Sequence, residues 1–128
     1  MGLNIQANVM AYEHTVLSLN PDGRTLRSQE STLRENGFEV ISVPTPLQAR
    51  FEIEMGRCGV FLTSHITPLP ICRDLISLFR VSCPDGTVIF LTSPSFEHAL
   101  EADIVFSAQD DPKDIVKRLC SYQEKKAS

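Results

Sequence analysis

Ser64 and His65 stand side by side at the end of the stretch Cys58-Gly-Val-Phe-Leu-Thr-Ser-His, and a hydroxyl beside an imidazole is the raw material of a nucleophile and its general base. Two facts weigh against that chemistry. Neighbouring residues on a strand point to opposite faces, and no acidic partner for the imidazole is evident. His65 then reads as a partly exposed polar residue of the loop. The other reactive types are scattered. Asp110-Asp111 reads as a helix cap with a solvated neighbour before it reads as a metal site. The four cysteines, Cys58, Cys72, Cys83 and Cys120, form no C-x-x-C pair, and the three histidines lie far apart, so neither zinc nor a redox motif is expected. Cys58 and Cys120 read as small buried hydrophobes. Asn20-Pro21-Asp22-Gly23 is dense in turn formers and lacks the glycine-rich phosphate cradle that a nucleotide site would place after a first strand. No metal ligands and no cofactor are predicted.

The elements that hold these residues follow from pattern. Val60-Phe-Leu62, entered through Gly59 and left through Thr63-Ser64-His65, is a short apolar run that predicts a strand buried on both faces, with Pro68 and Pro70 turning the chain after it. Before it, Thr15–Leu19 predicts a first strand. A helix over Leu26 and Leu33 follows, stopped at Gly37, and Phe38–Val43 is a second strand. Thr45 caps a helix with Pro46 at its first position, running through Leu47, Phe51 and Met55 at four-residue intervals to about Gly56. Ile71, Leu75, Leu78 and Phe79 mark a third helix, Thr87–Thr92 a fourth strand, and Ser95 a short helix over Phe96, Ala99 and Leu100. Ile104-Val-Phe106 is a fifth strand. Asp111 caps a last helix with Ile115, Val116 and Leu119 on its apolar face, before the charged tail Glu124-Lys-Lys126. Strands alternating with helices, the later strands wholly apolar, require a parallel sheet covered on both faces by right-handed crossovers. The predicted architecture is a five-stranded, doubly wound α/β sandwich.

Composition sets the limits. A chain of 128 residues with 42% hydrophobic content suits one domain with its own core. The expected division is an N-terminal arm over 1–14, a domain over 15–122 and a charged C-terminal tail over 123–128. Twelve basic against sixteen acidic residues give a net charge of −4, which argues against a broad phosphate-binding surface and makes nucleic acid an unexpected partner. No leader-like pattern and no membrane-length apolar run is present, so the expectation is a cytoplasmic protein without membrane contact.

The order of elements, and the texts Thr15-Val-Leu-Ser-Leu-Asn-Pro-Asp, Gly37-Phe-Glu-Val, Phe61-Leu-Thr-Ser-His-Ile-Thr-Pro, Val88-Ile-Phe-Leu-Thr-Ser and Ala102-Asp-Ile-Val-Phe, resemble the receiver domain of two-component response regulators (CheY-like, flavodoxin-like) over Thr15 to Tyr122. The resemblance implies a magnesium-binding acidic pair after strand one, a phosphoacceptor aspartate ending strand three, a hydroxyl ending strand four, and a lysine and a switch aromatic on strand five. Carried onto this sequence, the acidic pair falls on Asn20 and Pro21, with Asp22 at the next acidic position, and the phosphoacceptor falls on Ser64. The lysine falls on Ala108 and the aromatic on Val105, with Phe106 one place away, while Thr92 keeps the hydroxyl. The stretch from Thr92 to Ala108 is shorter than usual, which implies a reduced fourth helix.

Magnesium needs oxygen ligands, commonly carboxylates, and only Asp22 offers one at a matched position. Serine without an activating base is a weak nucleophile, and no lysine neutralises an incoming phosphoryl group. The sequence therefore reads as a pseudo-receiver: a stand-alone signalling module working by protein contact and not an enzyme. Its expected partner is a histidine kinase, an output protein or a second copy of itself. Two alternatives stay open, a phosphoacceptor using a non-standard residue and a small hydrolase or nucleotide-binding protein on the same fold. The resemblance places contacts on the face from about Ser95 to Tyr122. Phe96 and Tyr122 are the candidate anchors, and Lys113, Lys117 and Arg118 form a basic stripe. The plain alternatives are that Phe96 is core and that the lysine-rich helix face is solvated.

Overall fold

The computed structural model describes residues 12–93, 101–107 and 110–127. Nine elements follow in order: β1 (Thr15–Leu19), α1 (Gly23–Glu35), β2 (Glu39–Val43), α2 (Pro46–Met55), β3 (Val60–Ser64), α3 (Leu69–Ser82), β4 (Thr87–Thr92), β5 (Ile104–Ser107) and α4 (Pro112–Ala127). The strands form one parallel sheet in the order β2-β1-β3-β4-β5. The short helix expected after Ser95, with Phe96, lies outside the described residues, as does most of the expected N-terminal arm.

Every residue of β1 and β3 is buried, as strands in the middle of a two-sided layer must be. Alternation divides their side chains between two cores. Leu17, Leu19, Phe61, Val88 and Phe90 face one way, against Ala49 and Ile53 of α2 and Cys72, Leu75, Ile76 and Phe79 of α3. Val16, Val60, Leu62, Ile89, Leu91, Ile104 and Phe106 face the other, against Leu33 of α1 and Ile115, Val116 and Leu119 of α4. Phe61 and Phe79 meet with ring centroids 5.8 Å apart. Burying twelve or more apolar side chains in each layer, at roughly 1.5–3 kcal/mol apiece, is the main force holding the sandwich together.

Local signals fix the ends. The Thr45 hydroxyl accepts from the Gln48 amide at 3.3 Å and starts α2, and Gly56, at φ 69°, ends it in the left-handed region. Asp111 starts α4, its Oδ1 accepting from the Lys113 amide at 2.9 Å. Gly59 admits a close backbone approach: a Cβ there would sit inside contact distance of the Tyr12 carbonyl, which packs over the entrance of β3.

Four expectations change. The stripe Leu47, Phe51 and Met55 does not face the sheet; these residues are 78%, 58% and 50% exposed, and α2 buries Ala49 and Ile53 instead. In α3 the buried face is Cys72, Leu75, Ile76 and Phe79, whereas Ile71 is exposed and Leu78 only half-buried. Cys120 is exposed, because it falls one residue past Leu119 and about 100° off the buried face of α4. The charged segment after Tyr122 continues α4 to Ala127, with Gln123 buried and donating from Nε2 to the Glu13 carbonyl at 2.9 Å.

Candidate functional site

The strand order reverses direction between β1 and β3, the chain passing from β1 to β2 on one side and from β3 to β4 on the other. In open parallel sheets that switch point, beyond the carboxyl ends of the strands, is where ligands sit. Ser18 pairs with Leu62, so two residues further on Asn20 is level with Ser64; Ser64 pairs with Leu91, and Thr92 follows. Asn20, Ser64 and Thr92 thus come to one edge on three adjacent strands. Thr92 pairs with Ser107, and Ala108, next along, lies outside the described residues.

Asn20, Ser64 and Thr92 each make hydrogen bonds within the chain. Asn20 is 2% exposed; its amide donates to the Val43 carbonyl at 3.2 Å, and its Oδ1 accepts from the Asp22 amide at 2.9 Å. That side-chain-to-backbone bond closes a turn around Pro21, which is exposed. Asp22 stands at the start of α1 on the surface and accepts from the Thr25 hydroxyl. This hydroxyl, with nearby amides and Arg24, holds its carboxyl below the usual value. Ser64 is also 2% exposed, and its Oγ accepts from the Ile66 amide at 3.4 Å. Its carbonyl accepts from the Thr67 amide at 3.3 Å and from the Cys72 thiol at 3.6 Å. Burial pushes the Cys72 thiol up, opposed in part by its contact with Thr63.

His65 turns towards β4: its amide donates to the Leu91 carbonyl at 2.9 Å, and Nδ1 lies 3.3 Å from the same oxygen. The imidazole thus lies against a neighbouring strand, and the Ser64 hydroxyl accepts from the Ile66 amide. Thr92 is half-buried, and its hydroxyl donates to the Ser93 carbonyl at 3.3 Å. Among the described residues, no three of His, Cys, Asp and Glu converge as a metal site would require. A shallow cavity of about 250 Å³ opens nearby between α1 and α4, lined by Arg24, Thr25, Gln29, Leu91, Ser107 and Asp110 among others.

The residues expected to meet a partner divide into two kinds. Lys113 and Lys117 are exposed on α4. Arg118, also exposed, lies along the outer edge of β5, its guanidinium 4.7 Å from the Phe106 ring centroid and donating to the Val105 carbonyl at 3.3 Å. Val105, at the switch position, points outward from that edge strand. Tyr122 is half-buried against the α4 core and near Asp103; burial first, then the Asp103 charge, pushes its hydroxyl up.

Asp103 is the centre of a clamp that the sequence reading missed. Its Oδ2 accepts from Arg80 at 2.9 Å and from the Val88 amide at 2.7 Å. Burial disfavours its charge, but the Arg80 guanidinium, the Val88 amide and Tyr122 outweigh that and hold the carboxyl below the usual value. Arg80 also reaches the Glu101 carbonyl at 3.0 Å, so α3, β4 and the lead-in to β5 are fastened together. An arginine-aspartate pair separated by so much chain leaves no spacing signal to read.

No protein-family model matches this sequence, and no curated protein matches it. Solved structures do. A response regulator receiver protein from Sinorhizobium medicae is similar with a TM-score of 0.76 at 16% identity, covering 88% of this chain and 95% of its own. A CheY-like receiver domain protein from Methanospirillum hungatei gives 0.75 at 19% identity, with the same coverages. The chemotaxis response regulator CheY4 of Vibrio cholerae gives 0.72 at 16% identity, covering 84% and 96%. The fold is that of CheY-like receivers.

Proposed function

We propose that this chain is a signalling module on a receiver fold that acts by protein contact and takes no phosphoryl group on aspartate. The observation that carries the reading is the buried serine at the end of β3, whose hydroxyl is held by the Ile66 amide where a receiver would need an ionised, metal-contacting carboxylate. Asn20 and Pro21 support it, since one is spent on an internal turn and the other has no ligand atom in its side chain. Among the matched positions only Asp22 carries a carboxylate, and a single surface carboxylate does not hold magnesium. The test is incubation with acetyl phosphate and magnesium, followed by intact mass measurement. No added phosphoryl mass is expected; a stoichiometric adduct, acid-labile or acid-stable, overturns the reading.

A signalling partner, a kinase or an output protein, would meet a fixed surface or one selected by ligand binding, since the usual switch is missing. Lys113 and Lys117 remain the candidate contacts on α4; Arg118 and Tyr122 are partly occupied by Phe106 and Asp103. The Ser64 hydroxyl accepts from the Ile66 amide while His65 Nδ1 lies against the Leu91 carbonyl on β4, and this favours the signalling reading over a hydrolase, whose serine would bond to the imidazole.

A further inference from the structure

We infer that the outer face of α2 is a self-association surface, on which a second copy of this chain packs its own α2 antiparallel about a two-fold axis beside Phe51. Leu47, Phe51 and Met55 are the three consecutive members of one i, i+4 stripe, all at least half exposed, on the side of the helix opposite the buried Ala49 and Ile53. Single exposed apolar residues are ordinary, but three in one line over about 12 Å of helix are a contiguous patch. A groove of about 300 Å³, lined by Val43, Leu47, Gln48, Phe51 and Glu52, extends the apolar face towards the end of the edge strand β2.

The occupant is identified by symmetry and charge. The stripe is symmetric about its middle: Leu47 and Phe51 are four positions apart, and so are Phe51 and Met55. Antiparallel pairing across a two-fold axis therefore sets Leu47 against the partner's Met55, and Phe51 against the partner's Phe51. Such an axis also brings like flanks together. On one flank stand Arg50 and Glu54, both more than half exposed and paired within the chain at 3.0 Å. With about 1.5 Å of rise per residue, Arg50 comes within about 3 Å in height of the partner's Glu54, against about 6 Å along the helix to its own, and equally near the partner's Arg50. The two guanidiniums then flank the axis, with the two carboxylates outside them. The other flank, Gln48 and Glu52, lines the groove, with Glu52 tied to Arg57 at 3.5 Å. A patch on one short helix is smaller than the roughly 800 Å² per partner of a standard interface, so the dimer is weak, with a dissociation constant on the order of 10–100 μM.

Sedimentation velocity on the full chain, from about 5 to about 500 μM, tests this directly. The weight-average coefficient should rise from monomer towards dimer. Phe51→Asp and Leu47→Lys, both at exposed positions that leave the core intact, should each weaken association at least about tenfold without altering the circular dichroism spectrum. Arg50→Glu and Glu54→Arg, which make the flank all acidic or all basic, should each weaken it by about three- to tenfold, and the double swap should restore it. In a Cys120→Ser background, Phe51→Cys should form a symmetric disulfide on mild oxidation, which Val81→Cys, exposed on α3, should not. A constant monomer coefficient across the range overturns the inference, whether the stripe is then covered by the chain's own residues or by another protein. So does an association that Phe51→Asp and Leu47→Lys leave unchanged, or a double swap weaker than both single changes.

Discussion

Ser64→Asp restores the residue type that the receiver resemblance implies at the end of β3, and the surroundings of that position set what it should do. The site is 2% exposed, and one amide, that of Ile66 at 3.4 Å, points at the serine hydroxyl. A carboxylate there would lose its hydration and gain one long hydrogen bond, with no cation among the matched positions to neutralise it. A cost of roughly 2–3 kcal/mol is expected for the charged form, equivalent to about two pKa units, which would raise the new carboxyl from about 3.9 to about 6. The sign follows from linkage. With the folded-state value raised, the folded state binds more protons than the unfolded one, so stability falls as pH rises between about 4 and about 6. Urea unfolding of the variant and its parent should therefore show little difference near pH 4 and the full loss at pH 7. Acetyl phosphate with magnesium should still add no mass, because at the matched positions Asn20 and Pro21 bring no carboxylate and Ala108 no ammonium. A variant as stable as its parent at pH 7 would show that the pocket supplies a counter-charge or water that these contacts lack, and a variant that became phosphorylated would show a working metal site. Either result refutes the reasoning.

Other consequences can be measured independently. Asp103→Asn should lower stability at pH 7 by roughly 1–2 kcal/mol, since it breaks the bond to Arg80 and weakens that to Val88. Because the folded-state carboxyl lies below its usual value, this contribution is present above that value and is lost as pH falls through the lowered one, so the gap to the parent should narrow in acid; a gap independent of pH would rule out the charge as its source. Gly59→Ala should cost about 1–3 kcal/mol and lower the thermal midpoint by several degrees, because the new methyl group meets the Tyr12 carbonyl. An unchanged melting curve would mean that the segment at Tyr12 moves aside freely. With Ellman's reagent at pH 8, Cys120 should react at once, whereas Cys58, its thiol pushed up to about 12 by burial, should react only on unfolding. Rapid modification of two thiols in a Cys83→Ser variant would contradict that assignment.

The strands were legible because a parallel strand covered on both faces has to be apolar throughout. Thr87–Thr92 and Val60–Ser64 carry that signal without ambiguity, and their carboxyl ends located the edge where Asn20, Ser64 and Thr92 meet. Helix α2 was legible in extent but not in rotation. Thr45 and Gly56 fix its ends, yet it carries apolar residues on two opposed sides, and periodicity cannot say which side faces the sheet. Close packing decided it: Ala49, wholly buried, lets the helix approach the sheet, while a leucine-phenylalanine-methionine stripe would hold it off. The Arg80–Asp103 clamp was invisible for a different reason, since it depends on α3 and the β5 lead-in being brought together by the fold.

What the site does with its polar groups bears on how such a module can signal. A receiver switch needs an edge with two discrete arrangements, one of them stabilised by a charge that arrives and leaves. Here the Asn20 carbonyl oxygen holds the Asp22 amide, the Ser64 hydroxyl holds the Ile66 amide, and His65 is bound to Leu91. A ligand that engaged these groups would have to break such bonds, each worth about 1 kcal/mol net and more where the freed group is buried. Without a strong cation or anion to offset that loss, the arrangement now present remains the lower in energy. Under the proposed function, the signal of such a chain would lie in whether a partner is bound at an outer surface, with concentration or location in place of phosphorylation as the variable. The exposed stripe of α2 would make this concrete: with a dissociation constant of the order proposed, the surface is half-occupied only when the chain is locally abundant, so recruitment of a few copies to one place would itself be the change of state.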